Sequence, residues 1–501
     1  MTAAPGAAPA QPGPTRRSQT RAIQLVLLIY AAGFVLFWPR AILVSDEAAY
    51  VGSAWAFAHG QTTQEERDGL TGEVRHVLPG RYPPGTAALQ APLVLALGFR
   101  GAPLVSLLGY LLTGLLLLRW LQREGRSPLF ALVFLGFLPA LVLGRVAMSD
   151  LPSALIVAGS QWLVFESRER DESGRQKGVP AAPAVFFAGL LGGASLLFRE
   201  TNALLVIPLL VGALLRRGRR PLPLLAGGLL GAGLRLFGSW AAFGDPLFTK
   251  DHGYGWSLAW AIDHLPLYLG VLLVLAPLGL FGALAYRGPR RAEIIVTALG
   301  SFGFFLAYGY SGEESGPLKQ LVLGPRFFIP LVPLLSIALA EALPRLWSAR
   351  GRPGGERLAS ALGSLWTLAV LGAALAVHPV LDHYGRGQGE LAEALVAATS
   401  GRGAVVLDGV ETGKYLNAWD EPRATVELSS LPPAELGRLV ARDGVAFVAL
   451  LDRGDSAFHR ERSAGGEQWR AEAAARCELL VAHDGLHGSL RLRVFRVEQC
   501  R

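Results

Sequence analysis

Along most of the chain, long apolar runs alternate with short polar loops. The runs cover Ala22–Val44, Pro103–Leu118, Leu129–Leu143, Pro152–Phe165, Ala182–Phe198, Ala203–Leu215, Pro221–Phe243, Leu265–Tyr286, Ile294–Tyr310, Phe327–Leu343 and Leu358–Val377. Runs of this length and polarity suit bilayer-spanning helices, so the pattern predicts a polytopic α-helical membrane protein with about 11 transmembrane helices. Pro83–Phe99 is also apolar, but Pro84, Gly85 and Pro92 interrupt it, so it reads as a helix lying on or dipping into one face.

The loops give the spans a direction. Every even-numbered span ends in arginines: Arg119, Arg123 and Arg126; Arg168, Arg170 and Arg175; Arg216–Arg220; Arg287, Arg290 and Arg291; Arg345 and Arg350. The opposite loops carry fewer basic residues. This asymmetry marks the arginine-rich side as cytoplasmic and sends the first span outward. Residues 1–20, rich in Ala and Pro, read as disordered. Residues 21–377 form the membrane domain, with a long outer loop over 45–102. The apolar run after Arg16, Arg17 and Arg21 is long and lacks a small-x-small site, so it reads as an uncleaved first span.

From residue 378 the pattern changes. Ala404–Leu407, Ala424–Leu428, Val445–Leu451, Leu479–Val481 and Leu490–Val497 read as strands, and Pro433–Arg442 and Gly466–Ala475 as helices between them. Residues 378–501 are thus expected to form a small α/β domain outside the cytoplasm, a cap or docking unit without a phosphate fingerprint or catalytic triad.

Composition agrees: 51% of 501 residues are hydrophobic and 17% charged, too few charges for a soluble chain. The net charge of +8 arises from loop arginines, with no basic tail or aromatic-basic platform, which argues against nucleic acid. The only cysteines are Cys477 and Cys500; a disulfide between them and two free thiols both remain open.

Candidate chemistry gathers on the outer side. Ser45-Asp46-Glu47-Ala48-Ala49-Tyr50 places two acids at the head of a new helix, with Ser45 as its expected N-cap. Ala48, Val51, Trp55 and Ala58 share one stripe of that helix, suited to a membrane surface. With Asp46 and Glu47, the same side holds His76, Arg81, Tyr82, Asp150, Arg199, Glu200, Lys250, Asp251, His252, Glu313, Glu314, Lys319 and Arg326. Polar groups at membrane depth are costly and tend to face a cavity. Each has a plainer role available. The acids can simply begin helices, Asp150 can cap the helix before Pro152, and Arg199 and Arg326 can snorkel to headgroups. Arg81-Tyr82-Pro83-Pro84-Gly85 is more distinctive, because two prolines make a rigid corner that aims Arg81 and Tyr82.

A first span ending in Asp46-Glu47-x-x-Tyr50, an outer loop closing on Tyr82-Pro83-Pro84-Gly85 and a third span ending near Asp150 together resemble the GT-C membrane glycosyltransferases. Within them the nearest are the aminoarabinose transferases of lipid A and the protein O-mannosyltransferases. The resemblance covers roughly residues 22–343. It implies an inverting transferase using a polyprenyl-phosphate sugar, undecaprenyl-linked, on the outer face of a bacterial inner membrane. The acceptor is a lipid, glycan or protein. It implies Asp46, with Glu47 adjacent, and Asp150 as catalytic acids, and Arg199 and Arg326 near the donor phosphate; Arg81, Tyr82 and Lys319 on the same side are further candidates to bind that phosphate. A divalent cation, Mg or Mn, would fall to Asp46 and Asp150 if one is used. Two other readings fit outer-face arginines: a polysaccharide ligase or polymerase using a lipid-diphosphate donor, and a flippase of lipid-linked sugars. The first has no need of paired acids. The second is expected to show charges within spans and internal symmetry, and neither is evident.

Overall fold

The computed structural model describes residues 14–67, 74–77, 82–166, 182–216, 222–248, 255–309 except 275, 277 and 289, 321–348, 355–399 and, near the C-terminus, 404–407, 425–427, 445–453, 471, 474–475, 477–484 and 490–496. In chain order these hold α1 (Pro14–Leu36), α2 (Ser45–Ala58), a hairpin of β1 (Gln64–Arg67) and β2 (Val74–Val77), α3 (Gly85–Leu97) and α4 (Pro103–Arg123). Two short helices follow, α5 (Leu132–Leu135) and α6 (Leu138–Leu143), then α7 (Asp150–Glu166), α8 (Ala182–Ala194), α9 (Ala203–Arg216) and α10 (Leu222–Phe243). The helical part closes with α11 (Leu258–Val274), α12 (Gly279–Ala285), α13 (Arg291–Ala307), α14 (Val332–Ser348) and α15 (Gly355–Thr399).

Among the described residues, α1, α4, α10 and α15 contain segments long and apolar enough to cross a membrane, and the pair Leu321–Phe328 with Val332–Leu346, bent by 73°, is either a broken fifth span or a re-entrant loop. Several expected spans are instead broken or short. The first helix ends at Leu36, ahead of the Trp38-Pro39 step, where proline disfavours helix in the residue before it. The run Leu129–Leu143 splits at Gly136 into α5 and α6, with Pro139 in the first turn of the second. The run Leu265–Tyr286 is shared between α11 and α12. The last run does not stop at Val377: α15 continues through Pro379 to Thr399, so the boundary drawn at 378 falls inside a helix. Leu362, Leu365, Leu368 and Leu375 of α15 are exposed, as expected of side chains facing lipid.

The interior is centred on α1, α4–α7 and α14, with Tyr30, Tyr110, Trp120, Phe134 and Phe137 fully buried. α8 and α10 touch backbone to backbone. Cβ atoms built at Gly189, Gly193, Gly227 or Gly231 would enter the facing helix's main chain, so the lack of side chains there permits the approach. α2 packs on α3 through Ala48, Val51 and Ala54 against Ala87 and Val94, with Ala102 and Ala147 in the same cluster. The stripe expected to lie on the membrane surface is thus covered by protein over much of its length.

Near the C-terminus, β3 (Ala404–Leu407), β4 (Thr425–Glu427), β5 (Val445–Arg453), β6 (Glu478–Asp484) and β7 (Leu490–Arg496) form a sheet of order β4-β3-β5-β7-β6. β3 is parallel to both its neighbours, whereas β7 is antiparallel to β5 and β6. The expected helix Pro433–Arg442 and most of Gly466–Ala475 lie outside the described residues. Cys477 is disulfide-bonded, and Cys500 lies outside the described residues. α15 packs on β6 and β7, and β1 of the first loop meets β4, so this sheet sits over the loop that follows α2.

Candidate active site

The acids of α2 fall in its first turn, where the N–H groups of the helix end favour negative charge. Val44, not Ser45, occupies the capping position, and no side chain caps it. Asp46 turns outward from the helix and engages two side chains. Its Oδ1 accepts a hydrogen bond from the Tyr82 hydroxyl at 2.6 Å, and its Oδ2 accepts from Arg326 Nη2 at 2.9 Å. Tyr82 stacks on Tyr50 with ring centroids 4.7 Å apart, and the Tyr50 hydroxyl donates to Ser149 Oγ at 2.8 Å. Burial, and next the Asp46 carboxylate, hold the Tyr82 phenol above its ordinary pKa, so it stays a donor.

Asp150 opens α7 and is fully buried. It pairs with Arg199, an ion pair that replaces the simple capping role open to it. Its Oδ2 has no hydrogen-bond partner among the described residues. Arg199 and Arg326 both lie over the ring of Phe327, their guanidinium carbons 5.1 and 5.3 Å from its centroid. One aromatic ring therefore joins the two ion pairs, a geometry that suits cations. Arg326 Nη1 also meets Met148 Sδ at 3.8 Å, next to Ser149 and Asp150. The 3-10 turn Pro325–Phe328 delivers Arg326 and Phe327 together, and the bend of 73° between it and α14 aims them at the site.

Glu47, expected as a second acid beside Asp46, turns the other way. It is 2% exposed, and its oxygens accept the backbone N–H groups of Leu43 and Ala147 at 2.8 and 2.9 Å. Burial pushes its carboxyl up to about 7, against the opposing pull of those N–H groups and of Arg145. Arg81 and Lys319, with Lys250, Asp251, His252, Glu313 and Glu314, lie outside the described residues.

The sequence reading missed two buried arginines, and one of them, Arg235, corrects the expectation that no charge lies within a span, since it sits inside the run Pro221–Phe243. Arg235 of α10 pairs with Glu200 at 2.9 Å and donates to the Phe248 carbonyl at 2.6 Å. Arg145 donates to the Phe37 carbonyl and faces Asp382 at 3.5 Å. The available signal was a lone arginine within or beside an apolar run, which is costly without a partner.

The described donors do not fit a divalent ion at Asp46 and Asp150. Each carboxylate faces a guanidinium, and no group of three or more His, Cys, Asp or Glu converges among the described residues.

No family model and no curated protein sequence matches the chain. Its fold is nonetheless shared with solved structures at low sequence identity. ArnT from Cupriavidus metallidurans, solved bound to undecaprenyl phosphate and in the apo state, is similar with a TM-score of 0.62 at 14% identity, over 95% of this chain and 98% of ArnT. The apo Archaeoglobus fulgidus oligosaccharyltransferase aligns with a TM-score of 0.48 at 11% identity, over 86% of this chain and 69% of that one.

Proposed function

We propose that this chain is an inverting glycosyltransferase that moves a sugar from a polyprenyl-phosphate donor to a lipid, glycan or protein acceptor. It works on the outer face of a bacterial inner membrane, with the N-terminus cytoplasmic and the C-terminal sheet outside. One observation carries the reading. Two acids from separate outer segments, Asp46 and Asp150, are each paired with an arginine, and both arginines rest on Phe327. A carboxylate and two guanidiniums gathered on one ring supply what glycosyl transfer from a lipid phosphate needs: a proton acceptor, and cations where phosphate charge develops.

The steps follow from the contacts. The donor phosphate binds between Arg199 and Arg326, with Arg81 and Lys319 as further candidates from their positions in sequence. Drawing Arg326 toward phosphate releases Asp46 Oδ2. The acceptor hydroxyl or amine then attacks the anomeric carbon, its proton passes to Asp46, and the carbon–oxygen bond to phosphate breaks. Polyprenyl phosphate leaves with its charge held by the arginines. Tyr82 keeps the carboxylate oriented, and Asp150 holds Arg199 in place. The similarity to ArnT, seen bound to undecaprenyl phosphate, supports undecaprenyl as the lipid.

The test is reconstitution of the purified protein with a labelled undecaprenyl-phosphate sugar and acceptors extracted from its own membrane. New sugar–acceptor bonds made by the wild type and lost in Asp46→Asn are expected. Full transfer by a folded Asp46→Asn protein removes Asp46 as the base. Movement of intact donor between leaflets with no new bond makes the protein a flippase instead.

A further inference from the structure

Glu47 adjoins the proposed base in sequence but binds only backbone, and it does so across two remote segments. Oε2 accepts from Leu43, in the stretch entering α2, and Oε1 from Ala147, in the stretch entering α7. The three residues after Ala147 carry contacts of the site: Met148 with Arg326, Ser149 with Tyr50, and Asp150 with Arg199. Two residues before it, Arg145 is 3% exposed and bonds both the Phe37 carbonyl and Asp382 of α15. Asp382 in turn accepts from Arg386 through Nε and Nη2 at 3.2 and 3.1 Å, and faces Arg40 at 3.8 Å. The chain after α1, the first turn of α2, the loop before α7 and the middle of α15 are thereby closed into one ring of hydrogen bonds and ion pairs.

We infer that Glu47 and Arg145 are positioning residues, which hold the Asp150 loop against the turn bearing Asp46 and tie both to the long helix that leads into the C-terminal sheet. This rests on the transferase reading above. Each of the two carboxyl oxygens takes one backbone N–H, so a single buried side chain fixes the separation of the two segments, and losing either bond leaves a buried N–H unsatisfied. Asp46, the proposed base, and Asp150, which holds Arg199, stand on the two bridged segments, and a misplacement of about 1 Å at the reacting groups costs roughly 100-fold in rate. The same ring gives the C-terminal sheet a mechanical connection to the site, because α15 packs on β6 and β7 beyond Asp382.

The test uses the full-length protein, with two readouts. Glu47→Gln keeps the shape but turns an NH2 toward one of the two N–H groups, which it cannot accept. We expect kcat to fall ~100-fold in Glu47→Gln and in Arg145→Met, with the donor KM within ~3-fold of wild type, and Arg145→Lys to recover most of the loss. In the absence of any substrate, hydrogen exchange in peptides covering 43–50 and 143–152 should accelerate at least ~10-fold in Glu47→Gln, with the remainder of the chain unchanged. Wild-type kcat in Glu47→Gln overturns the inference. So does a lost kcat with unchanged exchange, which makes Glu47 a direct participant in the chemistry. A wild type that transfers no sugar defeats the transferase reading and the positioning role with it, while the exchange arm still reports whether the clamp exists.

Discussion

Replacing Arg199 and Arg326 in turn by leucine separates the contribution of an ion pair from that of its surroundings. The two arginines share a ring and each holds a carboxylate, but the carboxylates differ in exposure. The Asp150 side chain is 0% exposed, that of Asp46 27%. In Arg199→Leu, the Asp150 charge stays in a low-dielectric interior, and its second oxygen already lacks a hydrogen bond from the described residues. Breaking a buried pair in this way costs about 3–5 kcal/mol. In Arg326→Leu, water and the Tyr82 hydroxyl still reach Asp46, so the loss is nearer the ~1 kcal/mol of an exposed pair. Removing the stranded charge as well should help: Asp150→Asn combined with Arg199→Leu should recover about 1–3 kcal/mol relative to Arg199→Leu alone. Unfolding in mixed micelles titrated with SDS, followed by tryptophan fluorescence, measures all four proteins. Equal losses from the two leucine variants, or no recovery in the double variant, would refute the argument that burial sets the scale. Both arginine variants should lose transfer activity whatever their stability.

Further expectations follow from single contacts. Tyr82→Phe keeps the stack on Tyr50 but removes the 2.6 Å bond to Asp46, so kcat/KM should fall by about 10-fold, the equivalent of one hydrogen bond at ~1–1.5 kcal/mol; a steady-state assay reads it directly. Glu47 carries its proton to higher pH folded than unfolded, about 7 against 4.5, so it stabilises the fold fully below pH 4.5, and this contribution is lost as pH rises through 7. Thermal midpoints measured between pH 5 and 8 should therefore slope downward, and Glu47→Gln should flatten that slope. Gly227→Ala presses a methyl group into the Phe186 carbonyl and should destabilise the α8–α10 pair by about 1–3 kcal/mol, whereas nothing opposes a Cβ at Gly233, where alanine should be neutral or stabilising by up to ~1 kcal/mol. SDS titration of both proteins distinguishes them, and equal losses would dismiss close backbone packing as the reason for the glycines.

The sequence by itself determined what depends on near neighbours along the chain. Apolar runs name a membrane protein because each lies within one continuous segment, and five short β-branched runs mark the strands that become β3–β7. Asp46 and Asp150 were visible because a helix start favours an acid locally. What only the tertiary structure decided is which partners these groups take. Arg326 lies 280 residues from Asp46, and Asp150 meets Arg199 across 49. Glu47 looks equivalent to Asp46 in the sequence, yet successive positions on a helix point about 100° apart, so packing on the Ala147 loop buries one while the other faces the site. Breaks within the apolar runs and the length of α15 were likewise set by packing, since an exposed leucine in lipid and a buried leucine in protein read alike in composition. Local propensity fixes where a helix starts, whereas the meeting of charges hundreds of residues apart is fixed by the packing that brings their helices together.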